Sequence, residues 1–380
     1  MFGTFADITN EMDSPSPNGI KLCQSVVAKK HLEEGEAQMN ITTLGIDLAK
    51  NTFSIVGMNQ HGKVVCRKTI SRNKLLPFVA QCPPCLIGME ACSGAHYWAR
   101  EFEQMGHRVG IIAAKFVEPY RKGGKNDNND AEAICEAVMR PNIWFVPIKS
   151  PDQQATLCIH RARQGLIKDR TALLNQLRGL LAEFGIVIPK GRYPAQATIP
   201  EVLANTNNGL PMLARNIITD LWARIQQSNK QILSYDRDLS KLVRENSVAK
   251  RLMTIPGVGE QVASGVVASV PDPRLFKNSR QFCAWLGLVP RQFSTGGKTR
   301  LGRITKHGDK YLRMCLVHGA RAVVSTLKEK KDHVSCWVRE LVERRGYLRA
   351  VVALAARNAR LIWTLMIKEE NYKAIPVIEK

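Results

Sequence analysis

ITTLGIDLA (41–49), TFSIVGM (52–58) and GKVVCRKTI (62–70) follow one another with only short polar turns between them, at Lys50-Asn51 and from Asn59 to Gly62. Their β-branched and apolar content over short runs reads as three strands of an antiparallel meander. Working outward, residues 73–81 read as a helix, CLIGMEA (85–91) as a buried strand, and HYWAREFEQMG (96–106) as an amphipathic helix ending at Gly106. RVGIIAA (108–114) supplies a further strand, and NDNNDAEAICEAVMR (126–140) a helix whose acidic first turn suits the helix dipole. Three strands followed by alternating helices and strands suit a mixed sheet with helices on its faces.

The chain changes character on either side of this block. Residues 1–38 are polar, contain SPSPNG and show no periodicity, so they read as a flexible leader, with Met39 as an alternative start of the folded unit. Beyond the sheet, Leu166, Leu173, Leu177, Leu180 and Phe184 mark a helix in residues 154–184. A second helix carries Ile218, Leu221, Ile225, Ser228, Ile232, Tyr235, Leu239 and Leu242 at alternating spacings of 3 and 4, a heptad seam. The Pro/Gly/Asn-rich stretch 185–211 would join the two as an antiparallel coiled-coil hairpin; an ordinary intramolecular bundle is the plainer alternative. The expected organisation is therefore an α/β domain over 39–150, a helical coiled-coil arm over 151–250, and a mainly helical unit over 251–380.

Charge separates these parts. Lys and Arg exceed Asp and Glu by 55 to 33, a net charge of +22, and the excess sits almost wholly beyond residue 150. Such a balance makes nucleic acid the first partner to consider. The ten cysteines are scattered without disulfide-scaffold spacing, and no secretory signal opens the chain, which implies reduced thiols and a cytoplasmic protein. The apolar run 348–367 is interrupted by Arg349, Arg357 and Arg360, so it reads as a core helix, and no membrane partner is expected.

Four carboxylates stand where a metal site would want them. Alternation turns Asp47 to the opposite face of the first strand from Ile46 and Leu48. Glu90 ends the buried strand, and Asp127 and Asp130, spaced i and i+3, share one helical face. Clustered carboxylates repel unless a cation neutralises them, and Mg is a hard cation suited to oxygen ligands and phosphoryl displacement. Taken singly, each acid has a plainer role as a dipole partner or turn cap.

The basic counterpart is RQFSTGGKTRLGRITKHGDKYLR (291–313), with seven Lys/Arg and one acid in 23 residues. Ser294, beside Gly296 and Gly297, would sit in a cationic loop within reach of a phosphate, although a serine hydroxyl needs help to become a nucleophile. His307 is the only local candidate base, and a lone His is more often structural. Arg300, Arg303, Lys306, Lys310 and Arg313 would neutralise phosphates. IPGVGEQVA (255–263) is a glycine turn opening a helix, so Gly257 and Gly259 suggest a helix-hairpin-helix-like contact to a nucleic-acid backbone. Cys82 and Cys85, with Cys92 and His96, have spacing compatible with zinc, but Cys85 begins a buried strand and reads better as a small hydrophobe.

Together these motifs resemble a family. GIDLAKNTF, GMEACSGAHYWAR, GGKNDNNDAEAICEA, TALLNQLRGLLAEFGI and IPGVG…GLVPRQFSTGGKTRLGRITKHGDKYLR resemble the DEDD transposases of bacterial insertion sequences, family one-ten, eleven-eleven subgroup, related to pilin-gene invertases. The resemblance runs from about Met39 to the C-terminus. It implies an RNase H-like (RuvC-like) domain in which Asp47, Glu90, Asp127 and Asp130 bind Mg, and a C-terminal transposase domain whose serine nucleophile is Ser294. It further implies donor and target DNA as substrates, a guide non-coding RNA, and dimers joining into tetramers, with the acids of one protomer meeting the serine of another. DNA would be cut and rejoined through a phosphoserine link. Two other readings stay open: a junction nuclease using water with Ser294 idle, and a non-catalytic nucleic-acid-binding scaffold.

Overall fold

The computed structural model describes residues 40–374 apart from 125, 328 and 329; the leader at 1–38 and the start at Met39 lie outside the described residues. The chain divides into two compact units between Ile148 and Lys149.

The first unit runs β1 (Thr43–Leu48), β2 (Thr52–Met58), β3 (Val64–Ser71), α1 (Leu75–Ala80), β4 (Leu86–Glu90), α2 (Ala95–Gln104), β5 (Arg108–Ile112), α3 (Ala114–Val117), α4 (Asp127–Val138) and β6 (Phe145–Val146). Its sheet has the order β3-β2-β1-β4-β5-β6. The β1–β2–β3 meander is antiparallel, β4 and β5 run parallel to β1, and the short β6 returns antiparallel to β5. This is an RNase H-like topology, and the five longer strands lie where alternation and turn residues put them.

Strand alternation builds the two faces. Leu44, Ile46, Phe53, Ile55, Ile87, Met89 and Ile111 point to one side and form a core with α1 and α2, including Val79, Trp98 and Phe102. Each large side chain fully buried there contributes roughly 1.5–3 kcal/mol. The opposite face is made shallow by glycine. A Cβ on Gly88 would meet the Val138 side chain at 2.9 Å, so α4 lies almost directly on the strands. That choice fixes what stands beside α4: Asp47 and Glu90 follow Gly45 and Gly88 by two residues and share their face.

In the second unit α5 (Pro151–Ala182), α6 (Arg192–Ala204) and α7 (Met212–Glu245) precede α8 (Ser247–Met253), α9 (Glu260–Ser269) and α10 (Ser279–Trp285). A hairpin of β7 (Pro290–Thr295) and β8 (Lys298–Ile304) follows, then α11 (Lys310–Ser325), α12 (His333–Arg345) and α13 (Tyr347–Lys368). A capping box starts α5: the Ser150 hydroxyl accepts from the Gln153 amide, and the Gln153 side chain accepts from the Ser150 amide.

The long helices α5 and α7 pack together, but not on the strict heptad seam expected of them. On α7 Ile218, Asn229 and Ser240 are buried, as are Leu221, Ile232 and Val243, two series each stepping by eleven residues. A straight helix of 3.6 residues per turn drifts against a seven-residue repeat, so Asn229 replaces Ser228 and Val243 replaces Leu242 at the interface. On α5 the buried leucines are Leu173, Leu174, Leu177 and Leu181, while Leu180 and Phe184 are exposed. The connection also holds a helix, α6, despite Pro194 and Pro200, because Ala195 and Ile199 bury against the same cluster.

Polar contacts fasten the base of α5 to the rest of this unit. Arg163 Nε donates to Asp236 Oδ1 at 2.6 Å and Arg170 to Asn229 Oδ1 at 2.9 Å. Buried His160 lies 2.8 Å from the Tyr311 hydroxyl through Nδ1 and 3.1 Å from Ser264 Oγ through Nε2. Because Ser264 donates to the Glu260 carbonyl, Nε2 is the protonated nitrogen and Tyr311 donates to Nδ1. The helix α13 is long and apolar enough to cross a membrane by length and composition; here Val351, Leu354, Ile362 and Leu365 pack into the core of the unit.

Candidate functional site

Within the first unit the predicted acids gather at one end of the sheet. The parallel register joins Ile46 to Met89, so Asp47 and Glu90 come next on adjacent strands and point to the α4 face. On the other side of Asp47, Ser54 of β2 stands directly opposite it, and Thr69 of β3 opposite Ser54. Asp127 opens α4 above this row: Ser54, Thr69 and Asp127 line one concavity with Asn126, Asn128 and Asn129. Asn126 caps α4 by accepting from the Asn129 amide at 2.8 Å, which fixes where Asp127 enters the helix.

Asp130 takes a different partner. Arg121 Nη1 donates to its Oδ1 at 3.3 Å, with both side chains partly buried. The exposed Cys92 lies beside the two strand acids, and burial followed by the charges of Glu90 and Asp47 raises its thiol pKa. Among the described residues no group of three or more His, Cys, Asp or Glu side chains is close enough to hold a metal ion. The donor chemistry nevertheless suits a hard divalent cation, because Asp47 and Glu90 share the sheet face on which α4 begins with Asp127, and Ser54 and Thr69 add hydroxyls beside Asp127. Asp47, Glu90 and Asp127 thus lie on one face while Asp130 pairs with Arg121, and the expected four-carboxylate set is not closed around a common point.

Sequence reasoning named neither Ser54 nor Arg121. Ser54 interrupts an apolar alternation at the position across from Asp47, which is a readable signal. Arg121 lies nine residues before Asp130 in a basic loop, where nothing local marks its partner.

In the second unit Ser294 is not in a loop but on β7, paired with Thr299 one step from the hairpin turn. Gly296 and Gly297 have φ of 55° and 75°, the two positive values that a tight hairpin turn of matching twist requires. The Ser294 hydroxyl accepts from the Gln292 amide at 2.8 Å. His307 lies past the far end of β8 and is not its partner. Both strands are exposed along almost their whole length.

Arg300, Arg303, Lys306 and Lys310 are exposed on or beyond this hairpin. Arg313 differs, since its Nη1 donates to the Leu286 carbonyl at 2.8 Å and lies 3.5 Å from those of His307 and Asp309. It fastens the base of the hairpin to the end of α10. Gly257, with φ of 85°, lets the α8–α9 turn approach α11, where an added Cβ would stand 2.8 Å from the Gly319 carbonyl. Gly259 precedes α9 and faces open space.

Cys82 and Cys85 are buried, and the imidazole near Cys85 is His107, with Nδ1 3.4 Å from Sγ, not His96. Burial pushes the Cys85 thiol up to about 12, as befits a packed and unreactive side chain.

Two family models match the chain. One described simply as a transposase, of DEDD type, covers residues 44–186, and one described as the transposase IS116/IS110/IS902 family covers residues 249–335. A probable family 20 transposase of Pseudomonas aeruginosa is 46% identical over 336 residues, 88% of this chain and 99% of that protein. The transposase for insertion sequence element IS1111A of Coxiella burnetii is 38% identical, over 95% of this chain and 99% of its own length. The transposase for insertion sequence element IS1328 of Yersinia enterocolitica is 40% identical, over 86% and 97%.

Proposed function

The chain belongs to the IS116/IS110/IS902 family of bacterial insertion-sequence transposases, and from that premise we propose that it cuts and rejoins DNA with a carboxylate site in its first unit and Ser294 in its second. The observation carrying this reading is the placement of Asp47 and Glu90 side by side on β1 and β4, on the face where α4 begins with Asp127.

Asp47, Glu90, Asp127 and Asp130 would hold Mg, which when bound neutralises a scissile phosphate and polarises its oxygens. The hairpin offers Ser294 at an exposed, cationic tip. Its Oγ forms a bond to phosphorus, the bond to the leaving sugar oxygen breaks, and the serine proton passes to solvent while the leaving oxygen gains one. The phosphodiester to serine keeps the bond for rejoining to a second strand. Arg300, Arg303, Lys306 and Lys310 neutralise backbone phosphates, and the turn at Gly257 and Gly259 makes a helix-hairpin-helix-like backbone contact.

On this reading a guide RNA pairs with donor and target DNA, and dimers join into tetramers in which the acids of one protomer serve the serine of another. The α5–α7 arm supplies contacts between copies, and the protein works in the cytoplasm without a membrane partner. The family resemblance supports these features.

One observation favours a second reading. The Ser294 hydroxyl accepts from the Gln292 side-chain amide, which is not a base. A junction nuclease would use the acids with water and leave Ser294 idle.

Purification of the full chain from its own cells, with sequencing of what binds, tests the main reading. A discrete structured RNA encoded beside the gene is expected, and Asp47→Asn or Glu90→Gln should abolish strand cutting while keeping RNA binding. Cutting that survives both substitutions would overturn the carboxylate assignment.

A further inference from the structure

A concavity of about 520 Å³ lies in the first unit, lined by Asn51, Ser71, Arg72, Asn73, Tyr97 and Trp98. It sits at the end of the sheet where the acids lie, since Asn51 follows Asp47 by four residues and Tyr97 follows Glu90 by seven, but on the α2 side, because Trp98 packs in the core opposite the α4 face to which the acids point. Four residues of chain reach no further than about 14 Å.

Its walls are fixed by the fold. The Arg72 amide donates to the Asn51 carbonyl at 2.8 Å, tying the β1–β2 turn to the end of β3. Trp98 is buried against Phe53 with rings edge to face at 5.3 Å, and the Arg72 guanidinium stands 5.0 Å from the Trp98 ring centre. Ser71 Oγ donates to Asn73 Oδ1 at 2.6 Å, which orients that amide. Against this rigid back, Tyr97 is 41% exposed, its ring edge to face with Trp98 at 5.1 Å.

An exposed aromatic face, an exposed guanidinium and two exposed amides around one hollow combine the chemistry that takes a nucleotide. The ring stacks on a base, the cation meets a phosphate, and an amide reads a base edge. A double helix keeps its bases stacked on one another, so such a hollow suits an unpaired base.

We propose that Tyr97, Arg72 and Asn51 hold one unpaired base of the DNA strand at the same end of the sheet as the acids, on its α2 side, stacked on Tyr97 with its phosphate on Arg72. This rests on the DNA-processing reading above, and it adds a step: the strand is opened next to the point of cutting.

The test uses the full-length protein and single-stranded DNA carrying 2-aminopurine at successive positions, with bulk binding followed separately by fluorescence anisotropy. The proposal expects a change in 2-aminopurine fluorescence at one position. It is lost in Tyr97→Ala, kept in Tyr97→Phe and weakened about five- to tenfold in apparent affinity by Arg72→Gln, with anisotropy binding and thermal unfolding of Tyr97→Ala close to wild type. Normal anisotropy binding without a Tyr97-dependent signal overturns the pocket alone. A signal seen only with the matching RNA overturns the assignment to DNA. Absence of anisotropy binding to any DNA overturns both the pocket and the DNA-processing reading.

Discussion

Gly45 and Cys135 approach so closely that a Cβ on the glycine would stand 2.7 Å from the cysteine's amide nitrogen. This backbone-on-backbone approach seats α4 on β1, and the seat decides how near Asp127 comes to Asp47. Overpacking a rigid interface typically costs about 1–3 kcal/mol, and here the obstacle is main chain, which cannot rotate away. Gly45→Ala should therefore lower the urea midpoint of the first unit by a corresponding amount and abolish cutting. An unchanged midpoint would mean that α4 is not packed as described.

Arg121 competes with any cation for Asp130. A partly exposed ion pair is worth up to about 1 kcal/mol. Replacing it with Arg121→Ala should tighten Mn²⁺ binding in calorimetry by about two- to fivefold. Weaker binding in the variant would assign Arg121 a supporting role in the site.

His160 makes the second unit sensitive to acid. Burial first, and the nearby Arg163 second, pull its pKa from 6.5 to about 4. The folded imidazole is held neutral while the unfolded one gains a proton below 6.5, so its contribution is full above pH 6.5 and is lost as pH falls toward 4. The groups facing it are Arg163, Tyr311 and Ser264. At most roughly 3 kcal/mol is at stake. Thermal unfolding of His160→Gln should show a shallower fall between pH 6.5 and 4 than the parent chain, and equal slopes would contradict the assignment.

The hairpin cations and Arg313 should separate experimentally. Arg300→Ala or Arg303→Ala should leave thermal stability unchanged and reduce the slope of log binding against log salt by about 1 each. Arg313→Ala removes a clamp on the Leu286 carbonyl and should lower the melting temperature instead. Identical behaviour of the three variants would be inconsistent with these placements.

The sheet was legible because its signal is local. Alternation along β1 turns Asp47 away from Ile46 and Leu48, and the short apolar run before Glu90 marks its strand; that the two acids share a face follows from the parallel register of β1 with β4 and from the glycines at 45 and 88 that seat α4. The β7–β8 hairpin was less legible because its strands are exposed and carry little apolar alternation; only Gly296-Gly297 announces it. The seam on α7 was misread by one position at Ser228 and at Leu242 because seven residues do not divide into whole helical turns. His160 acts on partners far along the chain, Arg313 on backbone carbonyls, and Arg121 on an acid nine residues on, across a loop and the first turn of α4. No local pattern marks such a residue, so their roles emerge only once the helices are packed.

The central claim is that Ser294 becomes joined to DNA. Full-length protein carrying its co-purified RNA, incubated with Mg and labelled DNA bearing the joined ends of its own element, should yield on a denaturing gel a covalent protein–DNA species. Peptide mapping should place the nucleotide on Ser294, and Ser294→Ala should lose that species while Thr295→Ala keeps it. Cutting without such a species, undiminished in Ser294→Ala, would contradict the account and leave the carboxylates acting with water.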